Sequence, residues 1–401
     1  MDPNLNDWLN LLLRWLHLIT GAAWIGTSFY FNWLNHSLRP PQPPREGIAG
    51  ELLSVHGGAF YQVSKYQGAP ATMPSTLHWF KWEAYFTWIT GISLLTIVYY
   101  FNAKIYLIDP NVLELTPNQA ISISLATLVG GWLVYDTLCK SPLKKFPMTF
   151  TLLGFILLSL VAWGLTQVFS GRAAYIHVGA IIGTIMAANV FWVIIPNQKR
   201  MVNALLENQT PDLEKGKEGA LRSLHNNYFT LPVLFIMVSN HFPMTYGHRF
   251  NWAVLAGLSL IGAGTKHYFN LKHQGHKNVW ILPVAATAML ALAFVSHSTK
   301  DSFKTEPNIC QNATEVRFLE AQGIIQRRCL PCHSANPSHP AFPQAPGGIM
   351  YDTPAQIQTL APKIETVAVQ SKTMPLGNLT KMTDQERVLL GQWIRQGAPI
   401  Q

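Results

Sequence analysis

The chain has 401 residues, of which 49% are hydrophobic and only 12% are charged, a composition too apolar for an ordinary soluble enzyme. Its net charge of +9 comes from Lys and Arg residues that stand between apolar runs, without a basic patch interleaved with aromatic residues, so nucleic acid is not an expected partner. Four cysteines are too few for a disulfide framework. We therefore expect a membrane protein.

Eight apolar stretches fill the first three quarters of the chain. A helix needs roughly 20 apolar residues to cross a bilayer, and we predict spans at 8–34, 79–101, 120–138, 147–169, 173–195, 228–241, 250–269 and 279–297. The sixth stretch is short and contains Pro232, so its helix is expected to begin nearer Leu224. The first is not expected to be a cleavable signal peptide, because Asp2 and Asp7 precede it and its apolar run is too long.

Lys and Arg residues are unevenly shared between the loops that join these stretches. The loops after the first, third, fifth and seventh stretches are rich in them, whereas the opposite loops hold only Lys104, Arg172 and Arg249. By the positive-inside rule, the basic loops are cytoplasmic, and the N-terminus and the segment after residue 297 are periplasmic. Tyr99 and Tyr100, at the end of a stretch, fit an interfacial aromatic belt. The expected location is a bacterial inner membrane, crossed several times.

Two of the cytoplasmic segments are long. Residues 35–78 open with four prolines between positions 40 and 44, which should end the first helix. Residues 196–225 mix charges of both signs and are predicted to form an amphipathic helix on the membrane surface. Cys139 is expected in a basic loop.

The chain turns polar after residue 297. Residues 298–313 are predicted to be a linker between a transmembrane domain at 1–297 and a small helical domain at 314–401. A helix N-cap is predicted at Thr314. Thr383 and Glu386 have the spacing of a capping box, which predicts a last helix that Gly397 ends.

One short motif in this last domain carries specific chemistry. In Cys329-Leu330-Pro331-Cys332-His333, the two cysteines have the spacing to form thioethers with haem vinyl groups, and the histidine then faces the iron. Met374 lies about where a small cytochrome c supplies the second iron ligand. A zinc half-site is the alternative, but it lacks a second ligand pair, since the only later histidine is His339. The motif predicts one covalent haem c in the periplasm.

Ionisable residues inside membrane spans are costly and fall into two sets. Near the predicted periplasmic face lie Arg14, His17, His177, His241, His248 and His297, with Asn10 and Asn240 beside them; near the cytoplasmic face lie His78, Lys81, Glu83, His225, Lys266 and His267. Long side chains near span ends can extend to the interface without any function. Converging histidines can instead hold a metal or a b-type haem, or bind and deprotonate a polar substrate, and these alternatives stay open.

Several runs resemble the bacterial membrane-bound urate hydroxylase family, the cytochrome c-linked urate oxidases. They are residues 14–26, 77–85, 195–198 and 227–241, together with the haem motif and 373–380. The resemblance implies an all-α fold, with an eight-helix transmembrane bundle followed by a small cytochrome c domain. It also implies oxidation of urate to 5-hydroxyisourate in purine catabolism. Electrons would pass to the haem iron and then to a soluble cytochrome c or a terminal oxidase.

Urate is a planar anion, so its site should offer a cation, an aromatic face and a base. The cytoplasmic set offers Lys81 for charge, Trp79 and Trp82 for stacking, and His78 or Glu83 as base. The periplasmic set offers Arg14 for charge, Trp15 for stacking and His17 as the base of first choice. The periplasmic set is preferred because it needs no electron relay across the bilayer. An additional haem b or metal in the membrane domain would allow the substrate site to lie in the cytoplasmic set instead.

Two other functions fit the same composition. A quinol-oxidising membrane cytochrome would hold b-type haems between its membrane histidines. A non-catalytic electron-transfer subunit of a terminal oxidase would be reduced only by partner proteins. The sequence does not assign a partner to Cys310.

Overall fold

The computed structural model describes residues 3–70, 72–298 and 316–400. It is mostly helical, with 68% helix and 5% strand, which confirms the helical class. The predicted linker with Cys310, the N-cap at Thr314 and the side chain of His297 lie outside the described residues.

All eight predicted stretches fall on helices, and several of these helices are longer than predicted. The helices of residues 3–298 are α1 Pro3–Ser37, α2 Trp82–Leu94, α3 Pro117–Lys140, α4 Pro147–Thr166, α5 Gly171–Ala188, α6 Ile195–Leu206, α7 Leu213–Ser239, α8 Pro243–Tyr246, α9 Asn251–His273 and α10 Ile281–Ser298. A π-helical segment, Leu95–Tyr100, extends α2, and another, Asn189–Ile194, joins α5 to α6. We call this part of the chain the helix bundle.

Three segments of the described chain are long and apolar enough to cross a membrane, namely Pro117–Lys140, Pro147–Thr166 and Gly171–Leu206. The apolar stretch Ile281–Ser296 is shorter. Polar residues make the other long helices less apolar, for example Arg14 and His17 in α1. The structure is thus consistent with membrane association through three helices, and it does not establish eight spans.

Local sequence accounts for where the apolar helices start. Helix α3 begins at a capping box, in which Thr116 and Gln119 bond reciprocally and Pro117 takes the first helical position. The Ser170 side chain caps α5 by accepting a hydrogen bond from the Ala173 amide. Helix α5 then runs through the centre of the bundle core, where Tyr175, Ile182 and other residues are fully buried.

The all-α prediction is wrong for residues 35–78. They contain an antiparallel hairpin of β1 Ile48–His56 and β2 Ala59–Tyr66, in which Leu52 pairs with Val63. The Gly57-Gly58 turn has positive φ at both positions, a conformation that glycine adopts without steric cost. This glycine pair was the available sequence signal for the hairpin.

The segment 196–225, predicted as one amphipathic surface helix, is helical but is divided between two helices. Helix α6 continues α5 through the π-helical segment and ends shortly before Asn208, whose φ is positive. Helix α7 then starts after its N-cap residue, Asp212. Helix α7 continues through Pro232 to Ser239, so the charged region is two helix extensions. Cys139 lies buried in α3 and not in a loop.

Residues 316–400, which we call the C-terminal unit, have a hydrophobic core of their own. Its helices are α11 Phe318–Arg328, α12 Pro354–Thr359, α13 Ala361–Ile364 and α14 Asp384–Arg395. Helices α11 and α14 pack together around Ile325, Leu390 and Trp393, which are fully buried. The predicted capping box of Thr383 and Glu386 is present, and Gly397 follows α14 with a positive φ.

The C-terminal unit packs against one end of the bundle, which we call the contact end; the opposite end is the far end. Its turn at Leu376–Asn378 meets the bundle segment Ala103–Leu107. A Cβ atom on Gly377 would lie 3.3 Å from the Ile105 carbonyl oxygen, and one on Gly247 would lie 2.5 Å from Ser371 Cβ. The two parts therefore approach each other closely at both places.

Candidate functional site

A tight turn after α11 places the cysteines and the histidine of the motif together. The amides of Cys332 and His333 both donate to the Cys329 carbonyl oxygen, at 3.1 and 2.9 Å. The His333 Nδ1 atom lies 3.0 Å from the Ile349 carbonyl oxygen, so this nitrogen carries the proton and Nε2 stays available as a metal ligand. Burial lowers the pKa of His333, although the hydrogen bond to Ile349 opposes this shift, and the neutral ring is the ligating form.

Met374 is fixed through its backbone. Its amide donates to the Val367 carbonyl oxygen at 2.9 Å, and the buried Arg387 guanidinium donates to the Met374 carbonyl oxygen at 2.7 Å and also to that of Ala368. Arg387 thereby ties the methionine loop to α14.

A cavity of about 130 Å³ lies beside the motif and the methionine loop of this unit. Polar or sulfur-bearing groups come from Cys329, Cys332, His333, Tyr351 and Met374, and most of the remaining lining is apolar. Burial, and secondarily the nearby Cys332, raises the pKa of Cys329 to about 12, which shows how apolar this wall is. Two thiols, an oriented imidazole, a thioether and an apolar lining together fit a covalently bound haem.

A zinc site requires further ligands beside the motif. Within the described ranges, no group of three or more His, Cys, Asp or Glu side chains is arranged to hold a metal ion.

The helix bundle contributes two residues to the same cavity, Tyr106 and Arg172. The Arg172 guanidinium lies over the Tyr106 ring, 5.3 Å from its centroid, and Arg172 Nε donates to Asn240 Oδ1 at 3.1 Å. Tyr99 packs edge-on against Tyr106 with ring centroids 6.3 Å apart. The cavity therefore borders a polar cluster at the contact end.

The two first-choice residues of the periplasmic set lie beside this cluster. Arg14 is exposed, its Nε donates to Asn10 Oδ1 at 2.6 Å, and its charge interacts with those of Arg172 and His17. His17 Nδ1 lies 3.0 Å from Thr90 Oγ1 and 3.1 Å from the Thr87 carbonyl oxygen. Arg14 therefore lies within electrostatic range of Arg172, and His17 within range of Arg14.

The other histidines of that set differ in their surroundings. His177 is fully buried, with Nδ1 2.7 Å from the Ala173 carbonyl oxygen and Nε2 2.6 Å from Ser124 Oγ, so both ring nitrogens are already engaged. His241 is exposed, and His248 accepts a hydrogen bond from the Phe250 amide.

The cytoplasmic set is not assembled into one site. Lys81 Nζ lies 5.3 Å from the Trp82 ring centroid, Lys266 Nζ lies 3.5 Å from that of Phe29, and His225 stacks on Phe150. Within the described chain no hydrogen bond or ion pair joins any two of His78, Lys81, Glu83, His225, Lys266 and His267. Glu83 and Lys81 sit at the start of α2, at the far end.

Sequence reasoning placed Asn240 in the periplasmic set but missed the other three residues of the contact-end cluster, namely Tyr99, Tyr106 and Arg172. Tyr99 was interpreted as an interfacial residue, yet its side chain is only 4% exposed. Arg172 was interpreted as a loop charge, but it lies in the first turn of α5, where the short loop after α4 turns it towards the cavity. Its isolation among periplasmic loops with few charges was the one available signal.

The comparisons with known proteins bear on the helix bundle. The family model described as Urate oxidase N-terminal matches residues 3–297. No curated protein and no solved structure shows a match. Because the matched region covers most of the sequence, the chain belongs to the urate oxidase N-terminal family and is, at this coarse level, an oxidoreductase with a urate-related function.

Proposed function

We propose that this protein oxidises urate to 5-hydroxyisourate in a bacterial inner membrane and passes the electrons to a haem c held by its own C-terminal unit. The supporting observation is the shared cavity: Tyr106 and Arg172 of the family-matched bundle line the same space as Cys329, Cys332 and His333. An electron leaving a substrate at the contact end would have a short path to that cavity.

The cavity residues have distinct roles in this proposal. Cys329 and Cys332 would hold the haem covalently, and His333 and Met374 would ligate its iron. When bound, a haem with these ligands supplies a one-electron acceptor of high reduction potential. The Ile349 carbonyl oxygen orients the His333 ring, and Arg387 fixes the Met374 backbone. No histidine pair in the bundle is assigned to a second haem.

The proposed reaction must balance protons and electrons. Urate and one water molecule give 5-hydroxyisourate, two protons and two electrons, because the water oxygen bonds to C5 as the C4–C5 double bond is lost. The bundle must therefore hold an anion and accept protons. Arg14 supplies positive charge, and His17, whose Nδ1 is held by Thr87 and Thr90, retains Nε2 as a base.

We therefore propose a site away from Lys81 and Glu83. Lys81 precedes α2 and Tyr99 lies in the last turn of its π-helical extension, so they are separated along one continuous helical path by roughly 27 Å at 1.5 Å per residue. Oxidation beside Lys81 would require another redox centre to bridge that distance. A substrate beside Arg14 and His17 would not.

The membrane arrangement is part of the proposal. We place the contact end in the periplasm, in agreement with the distribution of Lys and Arg between the loops and with covalent haem attachment. The eight helical stretches then act as spans, with Pro117–Lys140 and Pro147–Thr166 largely exposed at the outside of the bundle and Gly171–Leu206 largely buried inside it. A soluble cytochrome c or a terminal oxidase would take the electrons.

The decisive experiment is anaerobic addition of urate to the purified, oxidised protein. The absorption bands of haem c should shift to the reduced form, with two haems reduced per urate consumed, and 5-hydroxyisourate should appear. A double variant, Cys329→Ala with Cys332→Ala, controls for covalent haem. Haem that stays oxidised with urate but is reduced by a short-chain quinol would overturn the proposal in favour of quinol oxidation.

A further inference from the structure

We infer that Arg14, Arg172 and Tyr99 form the subsite that binds the anionic edge of urate, with Asn240 positioning Arg172. This inference rests on the proposed function and deepens it by placing the substrate. The subsite lies at the contact end, directly beside the cavity of the C-terminal unit.

Arg14 and Arg172 bring two positive charges to the subsite. Arg14 and Arg172 are close enough for their positive charges to interact, and within the described chain neither forms an ion pair with a carboxylate. Asp7, exposed on α1, interacts electrostatically with Tyr106 but is not paired with either arginine. Two neighbouring guanidinium groups without a counter-ion create a positive potential that attracts an anion.

The second feature is the Tyr99 hydroxyl, which is buried within reach of the side chains of Arg172 and Asn240. Neither of these contacts has the geometry of an ordinary hydrogen bond in the described structure. Buried hydroxyl groups in native proteins nearly always have a partner. A ligand oxygen placed among these residues would supply that partner.

The third feature is the orientation of the Arg172 guanidinium group. Asn240 holds Arg172 through Nε, which leaves the terminal nitrogens of Arg172 without a well-formed hydrogen bond in the part of the chain described. A guanidinium group presents paired donors that match a planar, delocalised oxyanion. The rings of Tyr99 and Tyr106 stand beside it and offer apolar faces for a purine.

Two sources could supply such an oxyanion: urate and a haem propionate. Arg14 and Tyr99 do not line the cavity of the C-terminal unit, whereas Arg172 does. A subsite that extends away from the cavity towards Arg14 and His17 favours urate. A propionate bound only by Arg172 would leave Tyr99 and Arg14 without a ligand.

The test measures urate binding separately from turnover. Protein reduced beforehand with dithionite cannot accept electrons, so equilibrium dialysis then reports urate affinity alone. The variants are Arg172→Gln, Arg14→Gln and Tyr99→Phe. The matched controls are Arg249→Gln, an exposed arginine of the same end that lies over Phe250, and Tyr100→Phe, whose hydroxyl bonds Ser124 at 2.7 Å.

We expect Kd for urate to rise about 10- to 100-fold in Arg172→Gln, as for loss of a charged hydrogen bond, and about three- to tenfold in Tyr99→Phe. Arg14→Gln should fall between them, and both controls should bind as the unaltered protein does. The haem reduction potential should stay the same in all variants.

Three results would contradict the inference or the proposed function. Unchanged Kd in Tyr99→Phe and both arginine variants would overturn the inference while leaving urate oxidation intact. A shifted haem potential with unchanged Kd would assign Arg172 to a haem propionate and also overturn it. Failure of the unaltered protein to bind urate or to be reduced by it would instead refute the proposed function.

Discussion

Both ends of the helix bundle contain an arginine surrounded by tyrosine and asparagine, but only one of these arginines has a carboxylate partner. At the far end, Arg222 is 1% exposed and bonds Asp136 at 2.6 Å and Asn189 at 3.3 Å. Asp136 is also paired with Lys140. At the contact end, Arg172 has Asn240 and Tyr106 but no carboxylate among the described residues.

This difference distinguishes the far end, where the polar groups are paired with one another, from the contact end, where we propose that they bind a ligand. At the far end, Asn189 also bonds Asn226 at 2.8 Å and the Tyr135 hydroxyl at 3.1 Å, so the charge and the hydrogen bonds of Arg222 are met within the protein. At the contact end, Arg172 has no carboxylate partner among the described residues, and the Tyr99 hydroxyl has no hydrogen bond of ordinary geometry. The contacts at the far end stabilise the fold, whereas the contact end is where we propose that urate binds.

The largest expected effect comes from removing the proposed base at the contact end. His17→Ala should lower the rate of urate-dependent haem reduction by about 10²- to 10⁴-fold, the usual range for loss of general base catalysis. The haem spectrum should not change, because His17 does not line the haem cavity. Stopped-flow absorption under anaerobic conditions measures the rate. Full activity in His17→Ala together with its loss in Lys81→Ala would move the site to the far end.

The second effect tests whether the far end is structural. Asp136→Ala should lower the free energy of unfolding by about 3–5 kcal/mol, because it leaves the Arg222 charge buried without its partner. Thermal unfolding in detergent measures this loss, and adding Arg222→Met should recover part of it. Arg172→Gln should unfold at nearly the temperature of the unaltered protein. Equal destabilisation by Asp136→Ala and Arg172→Gln would erase the distinction between the two ends.

A third effect concerns the close approach of the C-terminal unit. Gly247→Ala should weaken docking by about 1–3 kcal/mol, since its Cβ atom would lie 2.5 Å from Ser371 Cβ. Electron transfer from bound urate to the haem should slow accordingly in single-turnover measurements. Gly26→Ala is the matched control, because nothing lies within 4 Å of a Cβ atom at that position. If both variants transfer electrons at the same rate, tight docking at Gly247 is unimportant.

The smallest expected effect concerns an ion pair within the C-terminal unit, between Glu386 and Arg328. Burial alone would raise the pKa of Glu386, but hydrogen bonds from the Thr383 amide and Arg328, with the charges of Arg328 and Arg327, hold it below 4.5. This carboxylate therefore contributes stability above pH 4.5 that is lost as the pH falls through the lower folded-state pKa. Glu386→Gln should flatten acid unfolding followed by circular dichroism. An unchanged acid transition would show that this pair contributes nothing.

Much of this arrangement could be predicted from sequence because its signals are local. The motif at Cys329, the capping box at Thr383 and the apolar runs depend on neighbouring residues, and the helices they predicted are present. The pairing of Arg222 with Asp136 joins positions 86 residues apart, so no local pattern could reveal it. The same limit applies to Arg172, whose partners come from the end of α7 and from the segment Ala103–Leu107.

In the proposed function, the docking of the C-terminal unit would also constrain how electrons leave the haem. Its Leu376–Asn378 turn, next to Met374, rests against Ala103–Leu107, and Tyr106 closes the cavity on that side. A soluble electron acceptor cannot use a surface that the bundle already covers. It must approach the opposite side of the unit, or the unit must swing away after each reduction. In the second case, the dissociation rate of this intramolecular contact would set an upper limit on respiration from urate.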